Sequence, residues 1–163
     1  MHMKLVHFLA VAAMVPVCLV SCSQTLSPTP PPSVTNAGAL QTYRNAIGGD
    51  TAALMKIGEY YLMGTSGFPK DERMAANAFE TAAKLGHTQA QAMIALFYES
   101  GRGRLQSNSK ALDYYRRASA GGSRDAAQGV KRVEARIRAE EEARRTRVIN
   151  DWNKAMQLNP FAQ

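Results

Sequence analysis

The sequence predicts an all-α chain, a short α/α solenoid, on three observations. A unit of about 36 residues occurs twice, each copy has apolar residues at helical spacing on both sides of a glycine turn, and a third copy begins but runs on without its turn. Repetition at this period means helical hairpins that bury their apolar faces only against their neighbours.

Gly49 to Met63 aligns with Gly86 to Ser100 at an offset of 37, matching Thr51 with Thr88, Ala53 with Ala90, Ile57 with Ile94, Tyr60 with Phe97, Tyr61 with Tyr98 and Gly64 with Gly101. Past the turn the offset is 36, and Ala75, Phe79, Ala82 and Gly86 meet Ala111, Tyr115, Ala118 and Gly122. One residue is lost from the second loop. In each unit small residues face aromatic ones, which lets short helices approach closely and still fill space. Asp71 and Ser107 stand where an N-cap accepts the first free amides, Gly64 and Gly101 supply the turn, and Gly86 and Gly122 close the second helices. His87 reads as a turn or cap residue. Tyr61, Tyr98, Phe79 and Tyr115 read as core. Half of an earlier unit is predicted at Leu40 to Ala46, ending at Gly48-Gly49.

The runs Ala53 to Gly64, Phe68-Pro69-Lys70-Asp71, Ala75 to His87 and Ala90 to Gly122 together resemble the Sel-one-like repeat, a relative of the tetratricopeptide repeat. The resemblance covers roughly residues 50 to 122 and implies a solenoid that assembles other proteins. The second loop departs from it, with Arg104-Leu105 where the family usually has an apolar residue and Pro, and Ser107 in place of the capping Asp. Cysteine-stapled members of the family are no guide here, because the chain has no Cys beyond Cys22.

The third unit starts at Ser123 to Ala127, with Ile137 where the turn glycine belongs, and helical composition continues to Leu158 before Asn159-Pro160. Residues 123–158 are therefore expected as one basic capping helix of roughly 50 Å, with 159–163 as a tail. Ala126, Val130, Val133 and Ile137 form its docking stripe. Glu134 with Arg138, Glu140 with Arg144 and Glu141 with Arg145 are expected as four-residue ion pairs. Val148, Ile149, Trp152, Ala155 and Met156 make a second apolar face, which either anchors a partner through Trp152 or packs on the solenoid or on a second copy in a homodimer.

At the other end, Lys4 precedes an apolar run from Leu5 to Val20 that is too short to span a hydrocarbon core of about 30 Å and reads as an export signal over residues 1–21. Leu19-Val20-Ser21-Cys22 resembles a bacterial lipoprotein signal, which implies cleavage before Cys22 and lipidation there. Residues 22–36, with four Pro, three Ser and three Thr after Cys22, are expected as an extended tether reaching up to roughly 40 Å from the membrane. Ser23, not Asp, follows the Cys; by resemblance to bacterial sorting patterns this favours the outer membrane over the inner, facing the periplasm.

Composition excludes much chemistry. The whole chain has 2 Cys and 3 His, and His87 is the single imidazole beyond Cys22, so a two-histidine metal site, a cysteine-ligated zinc and a Cys/His dyad are unavailable. No nucleophile with a base and no phosphate loop is present, so neither enzyme activity, cofactor nor metal is expected. The charge is uneven: residues 22–99 carry 5 basic and 6 acidic side chains, and residues 100–163 carry 14 and 7.

Two functions follow as expectations. The first is a membrane-anchored adaptor or scaffold in a cell-envelope assembly (secretion, polysaccharide export or cell wall), attached to the lipid membrane through Cys22 and binding an envelope protein through Lys56, Glu59, Met63 and Trp152. The alternative is a binder of envelope polyanions, lipopolysaccharide or acidic glycan, through Arg102, Arg104, Arg116, Arg117, Arg124 and Arg132. Nucleic acid is not expected as a partner of an exported chain.

Overall fold

The computed structural model describes residues 26–158, so the signal segment, Cys22 and the tail lie outside the described residues. Six α-helices follow in order: α1 (Ala37–Ile47), α2 (Thr51–Met63), α3 (Glu72–Lys84), α4 (Thr88–Ser100), α5 (Asn108–Ala120) and α6 (Arg124–Gln157). Among the described residues there is no strand, and each helix packs chiefly on its neighbours in sequence, α6 also touching α4. Helices α2 and α3 make the first repeat and α4 and α5 the second.

Every helix starts on a side chain that accepts the free amides of its first turn. These are Asn36, Asp50, Asp71, Ser107 and Ser123, with His87 accepting through Nδ1 from the Ala90 amide at 3.2 Å. Gly64 (φ +70°) and Gly101 (φ +77°) end α2 and α4 in the left-handed conformation that the turn demands. The second helices of the repeats cap one residue earlier than expected, at Leu85 and Gly121; Gly86 and Gly122 follow at φ +90° and +91°.

The core is a threefold register of the second helices. Ala39, Ala75 and Ala111 are buried at one level, Tyr43, Phe79 and Tyr115 at the next, and Ala46, Ala82 and Ala118 at the third. The earlier half unit is thus a complete second helix. The aromatic level explains two helical glycines: a Cβ on Gly58 would sit 2.4 Å from the Phe79 ring, and one on Gly129 2.6 Å from the Tyr115 ring. Glycine costs a helix about 1 kcal/mol relative to alanine, and here the ring occupies the space released.

Residues 26–36 differ from the expected tether. Val34 is buried, Leu26 is packed against the core, and the Tyr43 hydroxyl donates toward the carbonyl oxygens of Ser27 (2.7 Å) and Thr29 (3.1 Å). Ser33 Oγ donates to the Gly67 carbonyl at 2.5 Å. The segment holds too few apolar groups to fold alone, but no helix precedes α1 among the described residues, and the segment covers the face that a preceding repeat would bury. Gly67 lies on Ser33 and Val34 as Gly103, one repeat on, lies on Glu72.

That contact is testable. Gly67 has φ +84° and a Cβ there would meet the Ser33 carbonyl oxygen at 2.4 Å, whereas Gly49 has φ +89° with nothing within 4 Å. Gly67→Ala is expected to release residues 26–36 at a cost of about 1–3 kcal/mol and to speed hydrogen exchange of the Val34 amide. Gly49→Ala pays only its local strain and leaves that amide protected.

One further expectation is corrected. None of the three ion pairs expected along the capping helix forms: Glu134 turns to Arg116 at 2.8 Å, Glu140 accepts from Asn108 Nδ2 at 2.9 Å, and Glu141 makes no ion pair among the described residues. For Glu134 and Glu140 the contact across helices wins because Arg116 and Asn108 are held beside them on α5. In the second loop Arg104 takes the place that Phe68 holds in the first, half-buried and bonded to Glu80 at 2.5 Å, and Leu105, where the resemblance has Pro, is 91% exposed.

Candidate interaction surface

Helices α2, α4 and the start of α6 are the first helices of successive units, and each presents one exposed strip. On α2 the strip is Lys56, Glu59 and Met63, three and four residues apart and all exposed, Met63 at 68%. The same repeat positions on α4 hold Met93, Leu96 and Ser100. Leu96 is a large exposed apolar side chain, and beside it α4 and α6 border a cleft of about 220 Å³ lined by Tyr115, Asp125, Gln128 and Arg132. An apolar wall with a few convergent polar groups is the arrangement that receives a side chain of another protein.

The floor of this region is fixed by a buried carboxylate. Glu99 on α4 accepts from Arg132 Nε at 2.8 Å and Nη2 at 2.7 Å, from the Tyr115 hydroxyl at 2.7 Å, and from Arg136. Hydrogen bonding from Arg132 outweighs burial and, with the Tyr115 bond and the two positive charges, holds the Glu99 carboxyl down at about 2. Burial together with the neighbouring carboxylate pushes the Tyr115 hydroxyl well up. The network ties α6 to α4 and α5, so the far wall of the cleft is held by charge-assisted bonds as well as by packing.

Most of the expected polyanion site is already neutralised. Arg102 bonds Glu72 (2.6 Å), Arg104 bonds Glu80 (2.5 Å), Arg116 bonds Glu134 (2.8 Å), Arg117 bonds Asp113 (2.8 Å) and Arg132 bonds Glu99 (2.7 Å). Arg124 alone of the six makes no ion pair among the described residues. The clustering in sequence therefore does not make one basic surface, because acidic residues of α3, α4, α5 and α6 pair with five of the six arginines.

Trp152 is 62% exposed on the outer part of α6: after Ile137 every described residue is exposed, Glu140 reaching back to Asn108 by a hydrogen bond. The structure thus separates the expected partner residues into two places, Lys56, Glu59 and Met63 on the repeats and Trp152 on the far arm. Leu96 and Glu99 were missed by sequence reasoning. Leu96 was findable, since it stands one repeat after Glu59; Glu99 stands one repeat after Leu62, and a carboxylate in an apolar column is the signal of a buried pair.

No cluster of His, Cys, Asp or Glu that could hold a metal ion occurs among the described residues. No curated protein matches the sequence. The Sel1 repeat profile matches residues 51–87 and 88–123. Among solved structures, a Sel1 repeat protein from Oxalobacter formigenes is 31% identical over 55% of this chain and 67% of that one, with a TM-score of 0.53. A protective antigen of uropathogenic Escherichia coli strains displaying an SLR fold is 29% identical, TM-score 0.54, over 58% of this chain but 20% of its own length. Helicobacter pylori cysteine rich protein B, 20% identical with a TM-score of 0.53 over 55% of this chain and 67% of that one, shares the fold. Two matched hairpins, the all-helical architecture and these likenesses lead to one conclusion: the chain belongs to the Sel1 repeat family, whose solenoids mediate contacts between proteins.

Proposed function

We propose that the chain is a lipid-anchored adaptor of a bacterial cell envelope, whose repeat surface binds another protein of a secretion, polysaccharide-export or cell-wall assembly. The observation that carries this reading is the exposed Leu96 beside a cleft whose walls the Glu99 network holds in place. Lys56, Glu59 and Met63 extend the same kind of surface onto α2.

The anchor rests on the lipoprotein-like run ending at Cys22, and Ser23 favours the outer membrane, with the solenoid in the periplasm. Three residues, Ser23 to Thr25, separate Cys22 from Leu26. Four Cα steps of at most ~3.6 Å keep the docked segment within about 14 Å of the lipidated residue, in place of the roughly 40 Å that a free tether allows. The repeats then work against the membrane surface, within reach of membrane proteins. Binding of lipopolysaccharide or acidic glycan is the weaker reading, since five of its six arginines already bond carboxylates.

Photo-crosslinking in intact cells tests the adaptor. Probes at Met63 and Leu96 are expected to capture a common envelope protein, and Leu96→Asp to abolish capture at Met63 as well. Capture unchanged by Leu96→Asp removes the cleft from the interaction. In parallel, Cys22→Ala is expected to accumulate as unprocessed precursor; normal processing of that variant refutes the anchor.

A further inference from the structure

The far end of α6 has a design that the solenoid does not use. From residue 138 to its end the helix has 20 residues, roughly 30 Å at 1.5 Å each; Glu140 hydrogen-bonds Asn108 on α5, and after Ile137 no apolar side chain of the helix joins the core. Residues 138 to 147 are mostly Arg, Glu and Ala, strong helix formers that carry the rod outward. Residues 148 to 153, Val-Ile-Asn-Asp-Trp-Asn, are weak ones. A helix that continues through weak formers without packing is one whose amphipathic face is made for a surface.

At 100° per residue, Val148, Ile149, Trp152, Ala155 and Met156 fall within an arc of about 120°. Val148, Ile149, Trp152 and Met156 are 62%, 50%, 62% and 43% exposed. Arg144, Arg147, Asn150, Asp151, Asn153, Lys154 and Leu158 lie on the rest of the circumference, and Arg145 lies within the arc, seven residues before Trp152, where its stem can lie along the surface while its charge reaches out. Residues 144–158 carry four basic side chains and one acidic one. None of the four cations makes an ion pair among the described residues, whereas Lys84, Arg102, Arg104, Arg116 and Arg117 on the repeats each do.

We infer that residues 144–158 of α6 are a docking helix for an anionic lipid surface, with the apolar arc sunk at the headgroup level, Trp152 at the interface and Arg144, Arg145, Arg147 and Lys154 on the acidic headgroups. A tryptophan with a cationic polar face is the composition of helices that lie in the membrane interface. Charge decides against a second copy as the occupant. Parallel pairing sets Arg145 against its own mate, and antiparallel pairing leaves both arginine clusters without an anionic partner among residues 144–158 other than Asp151, whereas an acidic headgroup layer meets all four cations at once. The inference is independent of lipidation at Cys22, and the arm gives the molecule a second attachment far along the chain from the first.

Trp152 is the single tryptophan of the chain, so its emission reports this site alone. The full chain, purified from its membranes, is reconstituted on phosphatidylcholine vesicles and on vesicles containing one third phosphatidylglycerol. The expected result is a blue-shifted emission, quenched by shallow brominated lipids, on the anionic vesicles only. It is reversed by high salt and absent in the triple variant Arg144→Glu, Arg147→Glu, Lys154→Glu, whose sites are exposed and leave the repeats folded. Water-like emission on both vesicles overturns the inference, as does a shift equal on both. A shift that grows with protein concentration without lipid assigns the face to a second copy and overturns it too. Flotation separates the two attachments: without a lipid anchor the chain leaves neutral vesicles yet stays on anionic ones, whereas without arm docking it keeps water-like Trp152 emission on every vesicle that retains it.

Discussion

Phe79→Ala is expected to cost about 4 kcal/mol, close to the upper end for removal of a buried aromatic side chain. Phe79 is fully buried, lies against Gly58, and meets Phe97 edge-on with ring centroids 5.6 Å apart. The site cannot collapse to refill the space, because Ala75, Ala76, Ala78 and Ala82 of its own helix have no longer side chain to offer. A repeat body of this size has stability on the order of 10 kcal/mol, so the loss approaches half of it. Urea unfolding followed by helical circular dichroism measures the effect. Tyr43→Phe, which keeps the ring and removes only the hydroxyl bonds, is expected to lose about 1 kcal/mol. A Phe79→Ala midpoint no lower than that of Tyr43→Phe would show that the aromatic level does not hold the hairpins together.

Glu99→Gln is expected to loosen α6 by about 2–3 kcal/mol at neutral pH, since glutamine keeps the shape but leaves Arg132 and Arg136 without their carboxylate. Arg132 is half exposed and recovers part of its solvation, which keeps the cost below that of a fully buried pair. The same carboxylate sets the acid response. Its folded pKa is lowered from 4.5 to about 2. A depressed carboxylate contributes stability that is complete above about 4.5 and is lost as pH falls toward 2, a contribution on the order of 3 kcal/mol. Thermal melts at pH 7, 5 and 3 should show wild type dropping steeply between the last two and Glu99→Gln changing less. Parallel curves for the two proteins would mean that Glu99 does not carry the acid sensitivity.

How much of this was legible in the sequence follows from the range of each interaction. The turn glycines Gly64 and Gly101, the caps Asp71, His87 and Ser107, and the buried pair Phe79 and Tyr115 are local or repeated features, and repetition exposes them twice over. Helix α6 was legible to within a residue or two because no turn residue interrupts it before Asn159-Pro160. Three things were not legible. Residues 26–36 look unable to fold, and they pack only because the first repeat leaves a face open beside Tyr43. The arginines look like one basic surface, and they are neutralised by Glu72, Glu80, Glu99, Asp113 and Glu134, four of which lie 18 to 33 residues away in sequence. The ion pairs at four-residue spacing along α6 look favourable, but each is worth only a few tenths of a kcal/mol, less than a bond to a side chain already fixed on the neighbouring helix.

By itself, then, the sequence determined the helical hairpins, their number, their caps and the unbroken last helix, because period and turn chemistry act over a few residues. The tertiary structure alone decided which charges remain free and which apolar faces remain open. Stacking the hairpins sets Glu72, Glu80 and Glu99 against arginines that follow them by 24 to 33 residues, pairs Arg116 with Glu134, and leaves unpaired cations beside an uncovered apolar face on the arm of α6 that extends beyond the repeats.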